Sequence, residues 1–374
     1  MAKRDRRFFK DNFPALRNSM YLNTGSEGLI PRETYKQINK LIKRNFKYGG
    51  SHPHFYNMVN FNFSKIPHYL KLLGVDPEKQ IRVSSVSEGL NFCFNMLSNN
   101  NIKKILLLKD EFKTGILASY AFAEKNKAEL IWADDLDDYY KRLKTDKPDI
   151  AIMSHVDYRD GKDNNIERFY SECKKNNVFF IVDGAQAIGN LFIRFPQEIH
   201  ADLYVWTTHK WLCSPRGLGF INVSQRIKDS IGPLGYHYFA TEVFRPPEIK
   251  IIDSMDSMSV HAANFIGEIG FVSSMRFLDK KIGIDNILKI NEDNKNYFYK
   301  VAEKNSIKVE VSDTNLLSIK VDEPEKVVEA MLRRKILIRS IPDTEYIRVS
   351  IHLYNNKKDI DVFFKNLNQI LGEK

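Results

Sequence analysis

Two segments in the middle of the chain carry residues able to do chemistry together. FFIVDGAQAIG (Phe179–Gly189) is an apolar run that ends in Asp183, followed by Gly184 and Gln186. ADLYVWTTHKWLCSPRGLGF (Ala201–Phe220) is a second apolar run, ending in Thr207, His209 and Lys210 before a glycine-rich turn. A lysine amine that sheds its proton is a nucleophile toward a carbonyl carbon and a base toward an acidic C–H bond. A carboxylate beside it stabilises a positive charge. The two residues are separated by about one strand–helix–strand unit, so both would reach the same carboxyl edge of a sheet.

A third segment offers a place for an anion. In RVSSVSEGLNFCFNML (Arg82–Leu97) a strand ends in a serine-rich turn that opens a helix. Backbone N–H groups at such a turn, at Val86 and Ser87, with the Ser87 hydroxyl, form an anion site. Thr207 and His209, flanking the lysine, could add to it. An amine, a carboxylate and a phosphate grip are the parts that hold pyridoxal 5′-phosphate: Lys210 for the imine, Asp183 against the pyridine nitrogen, and Ser87, Val86, Thr207 and His209 for the phosphate.

The elements that must position these groups alternate between short β-rich runs and longer helical ones. Strands are expected at Lys104–Leu108, Glu129–Ala133, Asp149–Ser154, Val178–Asp183, Asp202–Thr207 and Gly217–Val223. Helical patterns lie between them at Ser87–Leu97, Thr114–Lys125 and Ile166–Lys175. Runs such as ILLLK, IAIMS and FFIVD are nearly continuous in apolar residues, as expected of strands covered on both faces. The fold class is therefore α/β, with a mainly parallel, doubly wound sheet. From about Ile266 the pattern changes to a long helical stretch, Ile266–Lys304, and then a βαβ-like tail. This predicts a large domain over residues 21–265 and a smaller α+β domain over 266–374, with residues 1–20 packing on the latter.

Composition narrows the class further. The chain has 374 residues, 43% hydrophobic and 28% charged, enough for a large core. No apolar run is long enough to span a bilayer, and no apolar core follows the charged N-terminus, so a cytoplasmic protein without membrane attachment is expected. Three cysteines, Cys93, Cys173 and Cys213, are too few and too scattered for a disulfide framework or a metal site. The net charge of +10 is dispersed among acidic residues, which reads as solvated helix faces and not as a nucleic-acid surface.

Taken together the segments resemble the class V aminotransferase family of fold-type I pyridoxal phosphate enzymes, the group of cysteine desulfurases, selenocysteine lyases and isopenicillin N epimerase-like enzymes. The resemblance runs from YLNTGSEGLIP (Tyr21–Pro31) to YIRVSIHLYNNKKDID (Tyr346–Asp361). It implies a homodimer acting on an amino-acid substrate. It likens Lys210 to the cofactor-bearing lysine, Asp183 to the pyridine partner and Gln186 to the residue that bonds the ring hydroxyl. Phe112, in KDEFKTG, takes the place of the group stacked on the ring, and His155, in MSHVDYRDG, a position near the ring oxygen. Arg348 resembles the arginine that forks onto the substrate carboxylate, and Asn23 falls where the N-terminal segment reaches the site.

The sequence also departs from the family pattern. A desulfurase nucleophile would be expected on a loop shortly before Arg348, yet Val321–Arg348 contains no cysteine. In SMDSMSVHAANFIGE (Ser254–Glu268), His261, Ala262, Ala263 and Asn264 stand where many relatives carry a Gly-Thr pair that reaches the neighbouring subunit's phosphate. The missing cysteine disfavours a persulfide-forming desulfurase and the second departure puts the cross-subunit contact in doubt; a lyase that eliminates a side-chain group is the favoured reading. An aminotransferase is the first alternative. The others are an epimerase, with His155 or Tyr236 as its second acid, and a protein that binds the cofactor without turnover.

Overall fold

A computed structural model describes residues 6–231, 240–259 and 264–372. Numbered along the chain, its strands are β1 (Met20–Tyr21), β2 (Gln80–Val83), β3 (Lys104–Leu108), β4 (Glu129–Ala133), β5 (Ile150–Ser154), β6 (Phe179–Asp183) and β7 (Leu203–Thr207). There follow β8 (Gly219–Val223), β9 (Thr241–Arg245), β10 (Glu248–Ile251), β11 (Leu316–Lys320), β12 (Ile336–Leu337), β13 (Arg339–Ser340) and β14 (Tyr346–Ser350).

Seven of them form one mixed, mostly parallel sheet in the order β2-β8-β7-β6-β5-β3-β4. β7, β6, β5, β3 and β4 run parallel, while β8 is antiparallel to both of its neighbours. Being antiparallel to the same strand, β2 and β7 point the same way. Their carboxyl ends therefore emerge on one edge with that of β6. The apolar runs are continuous because alternate residues feed different cores. Ile105, Ile152, Ile181 and Val205 pack into one helix-covered layer, and Leu106, Met153, Val182 and Trp206 into the other.

The chain beyond residue 264 is more broken than its periodicity predicts. Instead of one helical stretch there is a helix Phe265–Phe277, a π-helical turn Leu278–Ile282 and a second helix Asn286–Lys304. Gly283, at φ +80°, makes the break between them. The run Ile336–Ile341 likewise divides. β12 pairs with β1 in parallel, and β13 pairs antiparallel with β14, whose other neighbour is β11. Val321, Ile347, Val349, Phe298 and Phe363 form the core there, and Leu22 from the N-terminal segment joins them. β9 and β10 pair with each other as an antiparallel hairpin. Tyr236 and His261–Ala263 lie outside the described residues. Among those described, no helix is long and apolar enough to cross a membrane, and no His, Cys, Asp and Glu cluster is suited to a metal.

Candidate active site

Asp183 is the last residue of β6 and Lys210 lies three residues past the end of β7, its parallel neighbour. Both line a cleft of about 130 Å³ at the carboxyl edge of the sheet, together with Phe112, Gln186 and Arg348. Asp183 is buried and accepts the N–H of Ala185 at 2.8 Å. Burial raises its carboxyl pKa, and the nearby Lys210 charge opposes the rise. Burial lowers the Lys210 amine to about 8; the Arg348 and Arg339 charges push the same way and Asp183 opposes them. An amine there is partly neutral near neutral pH, as a base must be. The turn that carries it is pinned from the N-terminal segment, where Gly28 donates its N–H to the His209 carbonyl at 2.8 Å. A Cβ on Gly28 would lie 1.9 Å from the Lys210 carbonyl, so only glycine fits.

Arg348, on β14, is buried 190 residues along the chain from the Tyr158 carbonyl that its Nη1 meets at 2.7 Å. Its Nη2 donates to the Ser26 hydroxyl at 3.2 Å, and its Nε has no partner. Burial, and the neighbouring Arg339, lower its pKa to about 10. Among the described residues no carboxylate pairs with it. A buried guanidinium with an unsatisfied N–H calls for an anion from outside the chain.

Val86 and Ser87 open the helix Val86–Met96, which starts directly after β2; Ser85 caps it by accepting the Glu88 N–H at 3.1 Å. Val83 and Thr207 both pair with Gly219, so the two turns sit two strands apart on the same edge. Thr207 Oγ1 lies 2.6 Å from His209 Nδ1. Burial, followed by the Lys210 and Arg216 charges, lowers the His209 pKa to about 4, leaving a neutral imidazole. The helix N-terminus, the Ser87 and Thr207 hydroxyls and this imidazole stand on the sheet edge that carries the lysine, and are groups of the kind that suit an anion. Asn264 caps its own helix, accepting from Ile266 N–H at 3.1 Å and Gly267 N–H at 3.4 Å.

Two expectations change. Ser154, Val156 and Tyr158 line the cleft, but His155 between them faces a separate cavity of about 350 Å³. Successive side chains leaving a strand alternate in direction, and this one turns away. Its Nδ1 lies 2.7 Å from the Tyr204 hydroxyl, and burial lowers its pKa to about 4. Asn23 does not line the cleft; its Oδ1 accepts from the Ser26 hydroxyl at 2.8 Å, orienting a residue that does. Gln186 does line the cleft, oriented by one Nε2 proton donated to the Gly25 carbonyl at 2.8 Å and by Oε1 accepting from Trp211 Nε1 at 2.9 Å. Phe112 does line the cleft, its ring edge-on to Tyr158 at 5.1 Å.

Four residues here escape a reading of the sequence: Ser26, Tyr158, Arg339 and Glu111. Glu111 is buried behind Phe112. It accepts the Phe112 N–H at 2.7 Å, the Ser154 N–H at 2.7 Å and the Ser154 hydroxyl. Burial raises its carboxyl to about 7 against those hydrogen bonds, with Asp183 adding to the rise. In KDEFKTG it reads as a surface acid, and nothing local marks it otherwise. The three cysteines are all buried, with burial raising each thiol pKa.

Residues 67–363 match the model of the aminotransferase class-V family, and the chain belongs to that family. It is accordingly a pyridoxal 5′-phosphate enzyme with the fold-type I architecture. A probable cysteine desulfurase of Pyrococcus abyssi is 22% identical over 310 residues, covering 72% of each chain. The structure of a cysteine desulfurase from Thermococcus onnurineus NA1 superposes with a TM-score of 0.84 at 18% identity, covering both chains fully. That of the cystine C–S lyase C-DES, in complex with cysteine persulfide, gives 0.83 at 18% identity, over 95% of this chain and 98% of that one. The residues present suit the cofactor: an amine opposite a buried carboxylate, an aromatic ring lining the cleft and groups that suit an anion on the same sheet edge.

Proposed function

We propose that the protein is a lyase that eliminates a group from the side chain of an amino acid, without a cysteine nucleophile. The observation that carries this reading is the cleft itself. Lys210 faces Asp183 there and Arg348 has no carboxylate partner among the described residues, while every cysteine of the chain is buried with its thiol held protonated. Lys210 would bear the cofactor, Asp183 would face its ring nitrogen, and Ser87, Val86, Thr207 and His209 would take its phosphate. When bound, pyridoxal phosphate supplies a carbonyl carbon for the substrate amine and an electron-poor ring that draws charge from Cα. Arg348 holds the substrate carboxylate through its fork of donors. Lys210 takes the Cα proton as general base. A leaving group on Cβ then departs with its bonding pair, and no thiolate is needed to receive it.

An epimerase needs a second acid on the opposite face; His155 points away from the cleft and does not supply it, and Tyr236 lies outside the described residues. The proposal retains a cytoplasmic homodimer and the division into residues 1–20, 21–265 and 266–374. Ammonia and keto-acid release from candidate amino acids, with no keto acid added, is the test. Turnover without an acceptor supports the lyase, whereas turnover that starts only on adding a keto acid would make the protein an aminotransferase.

A further inference from the structure

Arg339 stands directly opposite Arg348 across the antiparallel β13–β14 pair. Side chains opposite one another in such a pair share a face, and like charges there are unfavourable unless something compensates. Both guanidiniums turn to the same oxygen. Ser26 Oγ accepts from Arg348 Nη2 at 3.2 Å and from Arg339 Nη1 at 3.4 Å. Other cations around the cleft each have an acid: Lys113 with Asp343, Arg159 with Asp157 and Asp110, and Arg216 with Glu27. Among the described residues Arg339 and Arg348 have none. Arg348 is buried, and Arg339 is exposed at the mouth while still lining the cleft.

Resting on the lyase reading, we propose that Arg339 is a specificity-determining residue, and that the substrate is an amino acid carrying a second anionic group on its side chain. Arg348, buried in the cleft wall with Nε free, takes the α-carboxylate. Arg339, further out on the same face, takes the second anion. The Ser26 hydroxyl between them accepts from both guanidiniums while its own proton goes to Asn23 Oδ1, which fixes the oxygen that the two cations share. A neutral side chain would leave Arg339 without a partner and gain nothing from it.

The test is isothermal titration of the purified protein, supplied with pyridoxal phosphate, with succinate and with butyrate. These acids have four carbons each and differ in the second carboxylate. Succinate should bind at least tenfold more tightly than butyrate. Arg339→Gln should abolish that preference while leaving butyrate affinity within about twofold, and Arg339→Lys should retain most of it. Equal binding of the two acids by the unaltered protein would overturn the proposal. So would an Arg339→Gln loss shared equally by both acids, which would place both guanidiniums on one carboxylate. Failure of the cofactor reading has a separate signature, the absence of any visible band on adding pyridoxal phosphate. The calorimetry on the same protein still decides the two-anion site.

Discussion

Lys210 faces Asp183 at one end of the cleft, whereas at the other end Arg348 and Arg339 share a serine hydroxyl and have no acid among the described residues. The first pair is balanced within the chain. Its charges offset each other's burial, and the amine is left near 8, where a small change of surroundings moves a proton. The second pair is unbalanced. Two guanidiniums that share one hydroxyl repel by on the order of 2 kcal/mol at an effective dielectric near 20, less because Arg339 meets water. The difference separates poise from recognition: the balanced end is ready for proton transfer, and the unbalanced end gains stability only when an anion arrives.

Breaking the balanced end should have the largest effect. Lys210→Ala removes both the cofactor anchor and the base, and turnover should fall by roughly 10³-fold or more in a steady-state assay. Asp183→Asn keeps the shape but removes the charge, and should cost roughly 10²–10³-fold, chiefly in kcat. At the unbalanced end, Arg348→Lys loses the two-pronged contact while keeping the charge. There kcat/KM should fall about 100-fold, mainly through KM. If Arg348→Lys lowered kcat and left KM unchanged, the division between the two ends would not hold.

The smallest effect concerns Glu111, which sharpens the balanced end from behind. Its carboxyl is raised from 4.5 to about 7 on folding, so the folded protein holds a proton there that the unfolded chain releases. Its contribution is complete below about 4.5 and is lost as pH rises toward 7. Relative to the unaltered protein, Glu111→Gln should therefore gain stability across that window, by on the order of 2–3 kcal/mol, in thermal melts at matched pH. A difference that stays constant with pH would mean that Glu111 is ionised throughout.

Asp183 and Lys210 were legible because each lies just past the end of an apolar run, and parallel strands bring such ends to one edge. The core strands were legible for the same reason, with starts displaced by at most two residues. Of the anion end only Arg348 was, and that by family resemblance. Ser26, Tyr158 and Arg339 come from three separate stretches, and Arg339 is placed by two two-residue strands too short to carry a periodic signal. His155 was misplaced because sequence gives the alternation of a strand but not which alternate faces the cleft; Ser154 and Val156 took that side. Glu111 was invisible because its burial comes from Ser154 and Phe112 closing over it, a tertiary event.

The central claim is that Lys210 carries the cofactor. It is tested most directly by adding pyridoxal phosphate, reducing with borohydride and mapping the modified peptide by mass spectrometry. A visible band that disappears on reduction, with the phosphopyridoxyl mass on the peptide containing Lys210, is the predicted result. An adduct on another lysine, or a protein that takes up no pyridoxal phosphate, would contradict it.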